Sequence, residues 1–184
     1  PMDTDPGTSF EYNDGASVLL GKIVGVATGE RLDRWAVQHL FDPIGINEYF
    51  WKTTPDGEMD SMGGLFLSAH DLARIGLLVL RDGTWEDKRV VSEDWLRLST
   101  SPHVADTSPN NDEGNTGYAF QWWLPGGKTA DPRAISAVGF GGQRLTVIPE
   151  LDLVIVFNGW DLRGDYWAAE QALRTEVLPE AVRR

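Results

Sequence analysis

No cysteine occurs among the 184 residues, which excludes disulfides, thiolate metal sites and a cysteine nucleophile from this chain. That absence suits any compartment and so locates the protein nowhere. Basic residues are scarce: 16 Lys and Arg stand against 28 Asp and Glu, a net charge of −12. The acidic side chains are spread along the chain rather than gathered in a tail. Such a surface repels phosphate backbones, so neither nucleic acid nor an anionic membrane surface is an expected partner. No apolar run approaches the roughly 20 residues that span a bilayer. Three histidines, His39, His70 and His103, lie far apart in the chain, whereas zinc ligands come in close-spaced pairs. No metal and no cofactor is expected.

What is present is ample material for a core: 41% hydrophobic residues, with eight Trp and seven Phe. Asn13 or Asp14 can cap a helix on which Val18, Leu19, Lys22, Ile23 and Val26 recur at helical spacing, and Gly29 can stop it. A second helix is predicted from Arg31 to Phe41, ending at Asp42-Pro43. Residues 47–63 are polar and turn-rich. Ser68 caps the best-defined helix, with Asp71 completing a capping-box-like pattern and Leu72, Ile75, Leu78 and Val79 as its apolar stripe. A shorter helix runs from Ser92 to Leu98.

Residues 101–116 read as a loop, and after them the period changes to two. Tyr118–Leu124, Ala134–Gly139, Gln143–Ile148 and Leu153–Phe157 are predicted strands, divided by turn residues. A last helix is predicted from about Asp165 to Leu178. Helices first, then an antiparallel run, then a helix is an α+β pattern. On this reading residues 1–116 are a mainly helical region, and 117–184 hold the C-terminal strands and final helix.

Two segments could carry chemistry. Tyr12 precedes a helix start directly, so it lies on a fixed turn. It is either an aromatic staple beside a cap or a site residue. In Ala137-Val138-Gly139-Phe140-Gly141-Gly142-Gln143, three glycines at a strand mouth make either a bulged edge or a place where a ligand meets backbone N–H groups. Trp122 and Trp123 alternate on a strand, so one of them faces the core and the other solvent or a pocket.

In their surroundings these segments resemble the serine β-lactamase and penicillin-binding-protein group, which includes class C β-lactamases, D-alanyl-D-alanine carboxypeptidases, esterases and 6-aminohexanoate-dimer hydrolases. Five blocks carry the resemblance, in order. They are Pro6-Gly7-Thr8-Ser9-Phe10-Glu11-Tyr12-Asn13-Asp14 with Val18-Leu19-Leu20-Gly21; Leu40-Phe41-Asp42-Pro43-Ile44-Gly45-Ile46; Gly63-Gly64-Leu65-Phe66-Leu67-Ser68-Ala69-His70-Asp71-Leu72-Ala73-Arg74; Gly117-Tyr118-Ala119-Phe120-Gln121-Trp122-Trp123; and Gly141-Gly142-Gln143 through Val147-Ile148-Pro149-Glu150. The resemblance implies an antiparallel sheet flanked by helices. It also implies hydrolysis through an acyl-enzyme, with a Ser-x-x-Lys nucleophile assisted by a tyrosine. Tyr12 matches that tyrosine. Gly139 matches the glycine of the third motif, which makes the N–H of Phe140 an oxyanion-hole donor. Gly141 and Trp122 are expected to line the substrate site.

The sequence departs from the family pattern at three places. No serine has Lys at the third position after it, so the nucleophile is expected upstream, in an N-terminal part of the fold outside this chain, or in a partner chain. The opening Pro1-Met2-Asp3 has the form of neither a signal peptide nor an ordinary start, in line with that expectation. Asp14 replaces the usual Asn of Tyr-x-Asn, and a carboxylate there opposes a tyrosinate. Ala137 replaces Lys or His, removing the cation that would hold a substrate carboxylate and favouring a small-molecule amide or ester over β-lactam or peptidoglycan chemistry. The expected function is thus that of half a serine hydrolase site, inactive alone. The alternative is a catalytically silent module that binds a ligand or partner.

Overall fold

The computed structural model describes residues 5, 7–105, 107, 115–125, 133–160 and 172–182. Helix α1 spans Asp14–Thr28; the Asn13 side chain accepts from the Gly15 N–H, and Gly29, at φ 72°, closes it. The Asn cap satisfies a donor that the first turn leaves unpaired. Helix α2, Leu32–Ala36, widens at once into a π-helical turn over Val37–Phe41 and then a 3₁₀ turn over Asp42–Ile44. The predicted helix over 31–41 is therefore helical throughout Leu32–Phe41, but its second half is wound as a π turn, and a 3₁₀ turn follows it. The winding changes so that Phe41, Ile44 and Ile46 all reach the first core cluster, with Ala36 and Leu78.

The turn-rich stretch holds a small ladder that the sequence did not reveal: β1, Phe50–Trp51, pairs with β2, Leu65–Phe66. Helix α3, Ala69–Leu80, starts as expected: Ser68 Oγ accepts from the Asp71 N–H at 3.1 Å and donates to Asp71 Oδ2 at 2.6 Å. Arg74 pairs with the same buried carboxylate at 2.5 Å. A second unforeseen ladder, β3 (Thr84–Trp85) with β4 (Lys88–Arg89), leads to α4, Glu93–Ser99, capped by Ser92. Two-residue strands are too short to show a period, which is why neither ladder was legible.

Five antiparallel strands follow in sequential order: β5 (Asn115–Tyr118), β6 (Trp123–Pro125), β7 (Ile135–Gly139), β8 (Gln143–Ile148) and β9 (Leu153–Asn158). The predicted strand over 118–124 is instead a tight hairpin, Tyr118 pairing with Trp123. Gln121, in its turn, has φ 63°, a left-handed conformation uncommon for a side chain of this kind. A π-helical turn (Leu173–Val177) and α5 (Leu178–Val182) end the described chain. The predicted final helix lies partly outside the described residues, as does much of the loop over 101–116.

Helix α3 joins the two cores. Leu78 belongs to the first cluster, while Val79 and Leu80 pack against the second, formed by Ala119, Leu124, Ile135 and Val147. Its approach to the sheet is close because Gly76 has no side chain: a Cβ there would lie 2.5 Å from Val154 Cγ1 and 2.8 Å from Leu145 Cδ1. The other sheet face is closed too, with Ser136, Thr146 and Ile148 fully buried and the Ser136 and Thr146 hydroxyls hydrogen-bonded at 2.9 Å. The fold is α+β, an antiparallel sheet with helices.

Candidate active site

Tyr12 lies two residues ahead of α1, held in place by the Asn13 cap. Its ring meets Trp123 (centroids 5.6 Å) and Tyr118 (6.4 Å), and Phe10 packs on the same pair at 6.2 and 4.9 Å. Partial burial raises the Tyr12 phenol above its ordinary value of 10, and the charge and hydrogen bond of Asp14 push it the same way. Both effects oppose ionisation of the phenol. Burial also raises Tyr118, to about 12, with Tyr12 adding to the effect.

Of the paired tryptophans, Trp123 is the neighbour of Tyr12. Trp122 packs against the second core cluster, on the α3 face. Pairing explains the split: Trp123 stands opposite Tyr118 and Ser136, and residues of odd and even number alternate between faces. The same rule puts Ala137, paired with Leu145, on the α3 face. Ala137 and Trp122 thus share one side of the sheet, and the aromatic group around Tyr12 is on the other.

The Gly139–Phe140 segment closes the β7–β8 hairpin. Gly139 pairs with Gln143, Gly141 and Gly142 adopt φ 82° and 84°, and the Phe140 side chain is exposed. Two residues not singled out by sequence brace this turn. A Cβ on Gly159 would lie 2.5 Å from the Gly141 carbonyl oxygen and 2.7 Å from that of Gly142, so only glycine lets the end of β9 come so close. The Gln143 side-chain amide donates to the Gly159 carbonyl. A glycine at a strand end was the one available signal for this packing. Gly141 itself is buried within this contact.

The two groups share one end of the sheet. Gly139 lies three residues beyond Ser136, the partner of Trp123, or about 10 Å along β7. A further tie joins them to α1: Ser17 Oγ donates to Gln121 Oε1 at 3.1 Å, and Ser61 Oγ donates to the Ser17 carbonyl at 2.9 Å. The hairpin that presents Tyr118 and Trp123 is thereby fastened to the helix that presents Tyr12. Among the described residues no group of three metal-ligating side chains occurs, and no helix is long and apolar enough to cross a membrane.

The beta-lactamase family model matches residues 1–171. This chain belongs to the beta-lactamase family. A 6-aminohexanoate-dimer hydrolase of Paenarthrobacter ureafaciens is 32% identical over 167 residues, covering 85% of this chain and 41% of the relative. Among solved structures, a Bacillus anthracis protein provisionally assigned as a 6-aminohexanoate-dimer hydrolase matches with TM-score 0.82 at 22% identity, over 98% of this chain and 45% of that one. The octameric penicillin-binding protein homologue of Pyrococcus abyssi matches with TM-score 0.68 at 18% identity, over 93% and 43%. These two likenesses establish the beta-lactamase-like fold. The chain spans less than half the length of each of these relatives.

Proposed function

We propose that these residues are part of a serine hydrolase that cleaves an amide or ester through an acyl-enzyme. The nucleophilic serine and its lysine would lie outside the 184 residues. The observation that carries this reading is Tyr12 fixed on the Asn13-capped turn at the head of α1, with its ring against Trp123 and Tyr118. A hydroxyl nucleophile needs its proton taken, and the leaving group needs one returned. A phenol that stays protonated at neutral pH suits the second task, with the lysine taking the first. The N–H of Phe140, on the glycine-braced turn, would stabilise the oxyanion together with the nucleophile's own N–H, a contribution of about 3 kcal/mol per donor.

Amide chemistry is favoured by the curated relative's name, which states hydrolysis of a 6-aminohexanoate dimer; an amino acid dimer is joined by an amide. That the nucleophile lies elsewhere is supported by the absence of Lys three positions after any serine. It is also supported by the greater length of the relatives.

The 184-residue chain alone is expected not to hydrolyse p-nitrophenyl esters. In the full product of its gene, Tyr12→Phe should lower the acylation rate at least ~10²-fold. An unchanged rate would return Tyr12 to a packing role. The second reading, a silent binding module, is favoured by Asp14 in place of the usual Asn. It would prevail if the full gene product also lacks Ser-x-x-Lys.

A further inference from the structure

Gln121 is a central residue of the turn that joins β5 to β6, where the Ala119 N–H donates to the Trp122 carbonyl at 2.8 Å. Its φ is 63°, and a turn that needs a left-handed residue takes glycine or asparagine there by preference. A glutamine in that conformation is strained, and strain of this kind gathers at functional sites. Stability does not account for it. The Gln121 side chain is exposed and accepts a hydrogen bond from Ser17 Oγ at 3.1 Å. A hydrogen bond open to solvent replaces one to water and adds little to the folded state.

What the bond does is join two elements 104 positions apart in the chain. Tyr12 stands at the head of α1, while the rings beside it, Tyr118 and Trp123, belong to the hairpin. Ring contacts allow sliding, whereas a hydrogen bond fixes direction as well as distance. Ser17 lies one turn beyond Asp14 on the same side of α1, and Asp14 is the hydrogen-bond partner of Tyr12. Both ends of the link are anchored. Ser61 Oγ donates to the Ser17 carbonyl at 2.9 Å, in a place where a Cβ on Gly21 would collide with it. On the hairpin, the Phe120 N–H donates to the Ser99 carbonyl at 3.0 Å, and the Phe120 ring stacks on His103 with centroids 4.1 Å apart. We propose that Gln121, acting through Ser17, is a positioning residue for Tyr12, and that the left-handed glutamine is kept because it sets the hairpin against the head of α1. This deepens the function proposed above and rests on it.

The test uses the full gene product with the 6-aminohexanoate dimer, or with a p-nitrophenyl ester if the dimer is not turned over. Gln121→Gly removes the link and relieves the backbone together; Ser17→Ala removes the link alone, and Ser17→Thr keeps the hydroxyl. In the first two, kcat should fall about tenfold with KM unchanged, and Ser17→Thr should hold the parent rate. The urea midpoint of Gln121→Gly should not fall. Combined with Tyr12→Phe, neither substitution should lower kcat further. An unchanged kcat in Gln121→Gly and Ser17→Ala would overturn the proposal. So would a midpoint that falls in step with kcat, or a tenfold loss that persists with Tyr12→Phe, since the link would then act through stability or through another group. If Tyr12→Phe lowers kcat and Gln121→Gly does not, only this inference fails. If Tyr12→Phe has no effect, or neither substrate is hydrolysed, the function proposed above fails and takes this inference with it.

Discussion

At the scale of single residues, Asp14 adds to what burial does to the Tyr12 phenol. Both its charge and its hydrogen bond favour the protonated phenol. Asp14→Asn should therefore bring the Tyr12 titration down toward 10, read by absorbance at 295 nm as the difference between Asp14→Asn and Asp14→Asn/Tyr12→Phe, against the matching pair with Asp14 intact. A titration that stays put would leave burial as the sole cause. The opposing effect of position 14 was legible from residue types alone, because it needs only two groups two residues apart on a fixed turn. Which tryptophan meets Tyr12 was not. Alternation says that Trp122 and Trp123 point apart, but only the pairing of Trp123 with Tyr118 and Ser136 decides which of them faces the phenol.

At the scale of elements, two glycines set how closely backbone units approach. Gly76 lets α3 lie against β8 and β9, and Gly76→Val would drive methyl groups into Val154 and Leu145. Overpacking of this kind costs about 1–3 kcal/mol, so the urea midpoint should fall accordingly with an unchanged slope. Gly159 touches carbonyl oxygens rather than mobile side chains, so a methyl group there must displace the β7–β8 turn. Gly159→Ala in the full gene product should thus cost hydrolysis about 10–100-fold; rates that merely track the loss of stability would remove the turn from the proposed oxyanion hole. The caps of α1, α3 and α4 were legible because Asn13, Ser68 and Ser92 act within their own first turn. The helix over 31–41 was legible but its change of winding was not, because the packing of Phe41, Ile44 and Ile46 in one core is not a local matter.

At the scale of the whole molecule, burial of the phenols couples stability to alkaline pH. The unfolded value of Tyr118 is 10 and the folded value about 12, so the folded state holds this proton more tightly. Its contribution is complete below pH 10 and is lost as pH rises through 12; the upward shift of Tyr12 acts in the same sense. The urea midpoint should accordingly fall between pH 10 and 12, and the fall should be smaller in Tyr118→Phe. Equal falls in both proteins would show that Tyr118 is not its source.

Residue types and their order determined the class of fold, the helix caps, the strand period, the candidate Tyr12 and glycine-rich turn, and the lack of Ser-x-x-Lys within the chain. Each of these rests on neighbours a few positions apart. Only the tertiary structure decided the hairpin at 118–123, the place of Gly159 and Gln143 beneath the turn, and the tie from Ser17 to Gln121. Above all it decided which side of α1 is spare. The spacing of Leu19, Ile23 and Val26 predicts a stripe but not whether it turns inward. In the folded chain the other side of the helix rests on Ser61 and Leu32, because Gly21 admits them, and the stripe is left facing out.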